Sequence, residues 1–286
     1  MSSPRLPEHV GMSSSNERLT VSDSTAPAAH AQCRRLDGSV AIVTGAAHGV
    51  GVAYARRLAS EGAAVVVADL DGVGAEQVCS AIEADGGRAV PVTADIAEED
   101  AVRDMVKAAV AEFGTVTALV NNAAMFSIVP MSRVGFDRIE PDEWDRLMAV
   151  NIKGTWLSCR AVAPVMRDRG YGKIVNISST AALSGSTTRI HYVTAKAAII
   201  GFTRSLAREL GPDGITVNCI APGGTLSEEN PDEATLARRT AALGDRALRR
   251  VQMPADLVGA LAFLVSPDSD FITGQTLVVD GGSVML

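Results

Sequence analysis

Tyr192 and Lys196 are the two residues of this 286-residue chain whose types and spacing most directly offer chemistry. They open a mostly apolar run, Tyr192 to Ile200, free of Gly and Pro and continued by Phe202, Leu206 and Leu210. That pattern predicts a buried helix. Residues four apart share a helix face, so phenol and ammonium point the same way. A free phenol titrates near about 10, and a fixed cation beside it favours the phenolate. Lowering that value to about 7 requires roughly 4 kcal/mol of differential stabilisation. A phenol poised there is a good general acid or base. Taken alone the pair is weak evidence, because Tyr and Lys four apart occur on many helices.

A second constellation lies near the start of the regular part of the chain. Gly45, Gly49 and Gly51 follow the apolar run Val40–Val43 and precede a helical stretch, Val52–Ser60. A glycine-rich turn between a strand and a helix lets backbone N–H groups approach a phosphate at the helix N-terminus. Asp69 closes the next apolar run, 18 residues after Gly51. A carboxylate there can accept both hydroxyls of an adenosine ribose and would repel a 2′-phosphate. Leu70, Asp71 and Gly72 follow it, with no Arg or Lys, and His48 stands where an arginine could have held that phosphate. The reading is NAD rather than NADP.

These residues need a scaffold, and the apolar pattern supplies one. Short buried strands are expected at Val40–Val43, Ala63–Ala68, Ala89–Thr93, Val116–Val120, Lys173–Ile177, Ile215–Cys219 and Thr276–Val279. Helices are expected between them, at Val52–Ser60, Gln77–Glu83, Glu98–Glu112, Pro141–Arg169 (one long helix), Tyr192–Leu210 and Pro254–Leu264. Alternating strands and helices predict an α/β fold with a doubly wound, seven-stranded parallel sheet of Rossmann type. Residues 37–286 read as one domain. Residues 1–36, rich in Ser, Ala and Pro without periodicity, read as a disordered extension.

Composition narrows the partners. The formal charge is −7, which argues against a nucleic acid or an anionic membrane as partner. No apolar run is long enough to span a bilayer. The cysteines, at 33, 79, 159 and 219, contain no CxxC and read neither as a disulfide framework nor as a metal site. A reducing, cytoplasmic setting and a small-molecule substrate follow.

With these residues in order, the chain resembles the short-chain dehydrogenase/reductase superfamily over about residues 37–286. Its TGxxxGxG turn is Thr44 to Gly51, its NNAG motif appears as Asn121-Asn122-Ala123-Ala124, and its helix asparagine resembles Asn151. Its YxxxK pair is Tyr192 and Lys196, its PG pair is Pro222-Gly223, and its terminal strand looks like Gly274 to Gly282. The family's usual gap of 13 residues from serine to tyrosine selects Ser179 over Ser178. The resemblance implies a catalytic set of Asn151, Ser179, Tyr192 and Lys196. It implies NAD contacts from Gly45, His48, Val50, Gly51, Asp69, Leu70, Asp95, Ile96, Asn122, Ala123, Tyr192, Lys196, Pro222, Gly223, Thr225 and Ser227, and a homotetramer. Ala124 departs from the family's glycine, and about five extra residues sit around Met131–Phe136.

A pocket lined by Met125, Phe126, Ala181, Ala182, Leu183 and a lid after Gly223 would be apolar, with few charges. It predicts a hydrophobic secondary alcohol or ketone. A 3-oxoacyl carrier-protein reductase, a polyol or steroid dehydrogenase, and a non-catalytic dinucleotide sensor are the alternatives. Asp69 and a shortage of basic docking residues argue against the first. His191 and Arg189 read as solvated loop residues, Glu228–Arg250 as a solvated lid, and Trp144 and Trp156 as helix packing.

Overall fold

A computed structural model describes residues 34–285 apart from 127, 128, 130, 229, 230, 242 and 245. Residues 1–33, most of the expected extension, lie outside the described set. The boundary expected at residue 36 falls inside the packed body. Leu36 is buried in the core, and Arg35 pairs with Glu61 at 2.9 Å.

The sheet has seven parallel strands: β1 Val40–Thr44, β2 Ala64–Asp69, β3 Arg88–Thr93, β4 Ala118–Asn121, β5 Gly172–Ile177, β6 Ile215–Pro222 and β7 Thr276–Val279. Their spatial order is β3-β2-β1-β4-β5-β6-β7. This is the expected Rossmann-type α/β architecture. The order reverses direction between β1 and β4, and a crevice opens there at the carboxyl ends of the strands. β1, β2, β4 and β5 are buried along nearly their whole length. Strands covered on both faces must be continuously apolar, which is why their sequences do not alternate.

Helices cover both faces: α1 Gly49–Ser60, α2 Gly72–Ala84, α3 Glu99–Phe113, α4 Pro141–Met148, α5 Thr155–Arg169, α6 Ala181–Ser184, α7 Ile190–Leu210, α8 Glu233–Ala241 and α9 Ala255–Val265. One core packs α1, α2 and α9 against one sheet face through Tyr54, Leu58, Ile82 and Leu261. The other packs α3, α5 and α7 through Met105, Leu157, Met166 and Leu210. α2 starts five residues earlier than its apolar pattern indicates. Asp71 caps it, accepting a bond from the Gly74 N–H.

The single helix expected over Pro141–Arg169 is interrupted. Residues Ala149–Gly154 form a π-helical segment between α4 and α5. Apolar periodicity runs through both helices, so the sequence does not mark the break. Such π-segments recur at functional sites. Trp156, expected in helix packing, is largely exposed, with Arg160 over its ring. Trp144 stacks against His191 as packing predicts.

Behind the crevice runs a buried amide chain. Asn121 Nδ2 donates to Asn176 Oδ1 at 2.9 Å, Asn176 Nδ2 to Thr203 Oγ1 at 2.9 Å, and Thr203 to the Ile199 carbonyl at 2.8 Å. It ties the ends of β4 and β5 to α7. Among the described residues no helix is long and apolar enough to cross a membrane, and no His, Cys, Asp and Glu cluster could hold a metal ion.

Candidate active site

The crevice is a cavity of about 1210 Å³ lined mainly by segments following β1, β2, β3, β4, β5 and β6. Ordinary small-molecule pockets hold about 300–1,000 Å³, so it has room for a large ligand and a smaller one together. At one end stand the glycine turn and Asp69, at the other Tyr192, Lys196 and Ser179.

The glycine-turn end is organised by backbone bonds. Gly49 has φ +55° at the first position of α1, a conformation L side chains rarely adopt. A Cβ on Gly51 would strike the Gly45 carbonyl, so the helix can begin this close to the turn only without a side chain. α1 has no side-chain cap at His48. Its first-turn N–H groups therefore lack a side-chain acceptor at the cavity, and an anion such as a pyrophosphate fits there. Thr44 and Asn122 hold the turn in place. Thr44 Oγ1 accepts from the N–H groups of Asn122 and Ala123 at 3.1 and 3.2 Å. The Asn122 amide donates to the Gly45 carbonyl at 2.8 Å and to the Thr44 carbonyl at 3.1 Å. Asn122 thus acts on the turn itself, and Thr44, expected only as the first residue of the turn motif, supplies the hydroxyl that fixes the loop after β4 to it.

Asp69 ends β2 with both oxygens engaged by main chain: Ala47 N–H at 2.9 Å and Asp71 N–H at 3.1 Å. Those bonds aim the carboxylate and leave lone pairs for ribose hydroxyls. His48, read as a residue beside an absent phosphate, is committed elsewhere. Its Nε2 lies 2.8 Å from Asp71 Oδ2. The Gly74 N–H, followed by His48, holds the Asp71 carboxyl below its usual range. Asp95 accepts from the Ala97 N–H at 2.9 Å, and buried Ile96 packs against Gly154. Val50, Leu70, Ala123, Pro222, Gly223, Thr225 and Ser227 also line the cavity. This end fits an adenine dinucleotide without a 2′-phosphate.

At the other end Tyr192 and Lys196 are both buried in α7. Lys196 Nζ donates to the Ile177 carbonyl at 2.8 Å and lies 5.8 Å from the Tyr192 ring centroid. Burial lowers the ammonium pKa from 10.5 to about 8. The adjacent serines are separated by what they bond. Ser178 Oγ donates to the Lys196 carbonyl at 2.6 Å and is buried, whereas Ser179 stands half-buried on the cavity wall. Both serines line the cavity, and of the two only Ser179 is partly exposed there. Asn151 sits in the π-segment, its Oδ1 accepting from the Met125 N–H at 2.8 Å, and its buried Nδ2 lacks a partner. Ala124 carries no positive φ, so its replacement of the family's glycine introduces no strain.

Several expectations for this end fail. His191 is fully buried in the first turn of α7, with Nε2 3.0 Å from Glu143 Oε1. It fastens α4 to α7 one residue before Tyr192. Met125 is buried toward a smaller neighbouring cavity, and Ala182 and Leu183 pack against Ile199, Ile200 and Cys219. Phe126, Val129 and Ala181 are the apolar lining, joined by Arg133, Arg146 and Arg189. The lid is not uniformly solvated either. Arg246 is 6% exposed and donates to the Gly224 carbonyl at 3.0 Å, and Arg250 forms a two-pronged pair with Asp256. Arg133, Arg146 and Arg189 come from separate elements, and nothing in their local sequence announces that they share a wall.

The family is settled by comparison. A family model described as enoyl-(acyl carrier protein) reductase matches residues 45–284. The chain is 41% identical over 255 residues to the short-chain reductase protein NovJ of Streptomyces niveus, covering 85% of this chain and 93% of that one. It is 39% identical to the (2S)-[(R)-hydroxy(phenyl)methyl]succinyl-CoA dehydrogenase subunit BbsD of Thauera aromatica, over 86% of this chain and 97% of that one. A crystal structure of 3-ketoacyl-(acyl-carrier-protein) reductase from Brucella melitensis, complexed with NADH, superposes with a TM-score of 0.79 at 36% identity, covering 87% of this chain and 100% of that one. The chain belongs to the short-chain dehydrogenase/reductase family and is an oxidoreductase of that class.

Proposed function

We propose that this protein is an NAD-dependent oxidoreductase that interconverts a secondary alcohol and a ketone whose carbon skeleton is apolar beside the reacting centre. The observation that carries the reading is the convergence of Tyr192, Ser179 and buried Lys196 on one wall of a cavity whose other end offers Asp69 and uncapped α1. When bound there, NAD would accept the hydride of the alcohol, and NADH would return it to the ketone.

The chain's own residues handle the proton and the position. Tyr192 takes the alcohol proton, or gives one to the ketone oxygen. Ser179 donates to the same oxygen and stabilises the charge that develops on it. Lys196 keeps a positive charge near the phenol and lowers its pKa. Asn151, with its unpartnered Nδ2, holds a water through which the lysine exchanges protons with solvent. Phe126, 5.1 Å from the Tyr192 ring, and Val129 exclude water around the carbon skeleton.

NAD is preferred over NADP on this reading because the carboxylates Asp69 and Asp71 border the ribose position and His48 is already paired. A homotetramer in the cytoplasm belongs to the same proposal, supported by exposed Trp156 on α5 and Phe271 before β7; light scattering checks the count. The deciding experiment measures NAD and NADP reduction in parallel against aryl and cyclic secondary alcohols, with Tyr192→Phe as control. NAD-linked turnover lost in the control supports the proposal. NADP preference, or turnover that survives in the control, overturns it.

A further inference from the structure

Three arginines meet at the tyrosine end of the cavity, each from a different element. Arg133 follows β4, Arg146 lies on α4, and Arg189 directly precedes α7. The Arg189 guanidinium carbon is 5.8 Å from the Tyr192 ring centroid. Arg133 lies one ring further out, 5.7 Å from the centroid of Phe126, which itself neighbours Tyr192. Arg146 lines both the main cavity and the smaller one behind Met125 and Met131. Arg189 is held by a bond to Ser186 Oγ at 2.8 Å.

Neither Arg133 nor Arg146 pairs with a carboxylate among the described residues. That is unexpected for Arg146, because Asp142 and Glu143 stand one helical turn before it. Glu143 is committed to His191 and to the Ser132 N–H. Of the carboxylates that line the main cavity, Asp69, Asp71, Asp95 and Glu98 follow β2 and β3 and Glu228 belongs to the lid, while Asp142 and Glu143 line the smaller cavity beside Arg146. Arg133, Arg146 and Arg189 thus line one cavity in a protein whose overall charge is −7. The Arg133 and Arg146 guanidinium groups, without a carboxylate partner among the described residues, match the planar oxygens of a carboxylate or phosphate.

We infer that the substrate carries an anionic group, a carboxylate or a phosphate, and that Arg133 and Arg146 bind it with Arg189. The inference rests on the oxidoreductase reading and adds a second recognition point to it. The apolar skeleton lies against Phe126 and Val129, and the anion reaches the arginines at the mouth. Arg133 and Arg146 are specificity-determining residues on this account, and they take no part in proton transfer.

The test compares three forms of one ketone: 4-oxo-4-phenylbutanoate, its methyl ester and its coenzyme A thioester, each followed by NADH oxidation. The acid, or the thioester through its phosphates, is expected to exceed the ester about tenfold or more in kcat/KM. Arg146→Gln and Arg133→Gln should each reduce the anion-to-ester ratio about tenfold, through KM rather than kcat. An effect confined to the free acid identifies a carboxylate, and one confined to the thioester identifies a phosphate. Equal use of ester and anions, or variants that lower all three by one factor, overturns the inference. Calorimetric titration of the acid and the thioester into the enzyme–NAD complex gives a readout independent of turnover. Anion binding weakened by the two substitutions supports the inference even where no ketone is reduced. Absence of such binding, or binding indifferent to both variants, overturns it. NAD binding with no turnover of any alcohol or ketone would instead count against the oxidoreductase reading.

Discussion

The two ends of the cavity are built from different materials. At the glycine-turn end the contacts that set geometry are main-chain: the Asp69 and Asp95 carboxylates accept backbone N–H bonds, and the Asn122 amide donates to backbone carbonyls. At the tyrosine end main chain still anchors Lys196 and Asn151, but the lining is richer in side-chain groups: a phenol, an ammonium, a hydroxyl, aromatic rings and guanidinium groups. Main-chain geometry is fixed by the fold and tolerates little change. Side chains from separate loops can be exchanged without disturbing the sheet. A scaffold made this way can keep one cofactor while its substrate varies.

Substitutions at each end test that division. Tyr192→Phe should have the largest effect, lowering kcat about 10²–10⁴-fold while the affinity for NAD, read by calorimetry, stays within a few-fold. A parallel loss of NAD affinity would mean that the two ends are not separable. Ser179→Ala removes a donor to the developing charge and should lower kcat about 10²–10³-fold.

Lys196→Met should raise stability while abolishing activity, because the buried ammonium is held in the fold at a cost. Its folded pKa of about 8 lies below the unfolded value of 10.5, so between those values the unfolded chain binds the extra proton. Wild-type stability from this group therefore climbs as pH rises through that window. The gain of the variant should be about 3 kcal/mol below pH 8 and should shrink toward pH 10.5 in denaturant titrations. A gain independent of pH would contradict the burial of a charged lysine.

At the other end, Asp69→Ala with Leu70→Arg should move the NADP-to-NAD ratio of kcat/KM at least about tenfold toward NADP, with kcat on NAD little changed. Ser178→Ala should show the smallest effect, about 1 kcal/mol of stability from the lost bond to the Lys196 carbonyl, with kcat reduced far less than in Ser179→Ala. Equal losses in the two serine variants would remove the distinction between the wall and the layer behind it.

The legible parts of the sequence were those whose physics is local. Apolar runs such as Val40–Val43 must be strands, glycines before α1 must form a tight turn, and Tyr192 and Lys196 share a face because a helix turns every 3.6 residues. Ser179 came instead from the family resemblance, through the family's usual gap to the tyrosine, and the structure then gives a reason, since the Ser178 hydroxyl is spent inward. What escaped depends on contacts distant in sequence. Burial of His191 requires Glu143, 48 residues away. The shared wall of Arg133, Arg146 and Arg189 requires two loops and helix α4 to meet. The π-segment at Asn151 keeps the apolar rhythm of its flanking helices, so periodicity passes over it.

The amide chain behind the crevice constrains how this protein can change over generations. Replacing Asn121 by an apolar residue leaves Asn176 Oδ1 buried without its donor, and replacing Asn176 takes an acceptor from Asn121 Nδ2 and a donor from Thr203 Oγ1. Each single replacement costs about 1–3 kcal/mol, whereas an apolar pair of matching shape can be nearly neutral. A lineage would therefore have to cross a less stable ancestor to reach the double replacement. Substitutions at Asn121 and Asn176 should be rare and should arrive together, even while the loops around Arg133 diverge freely.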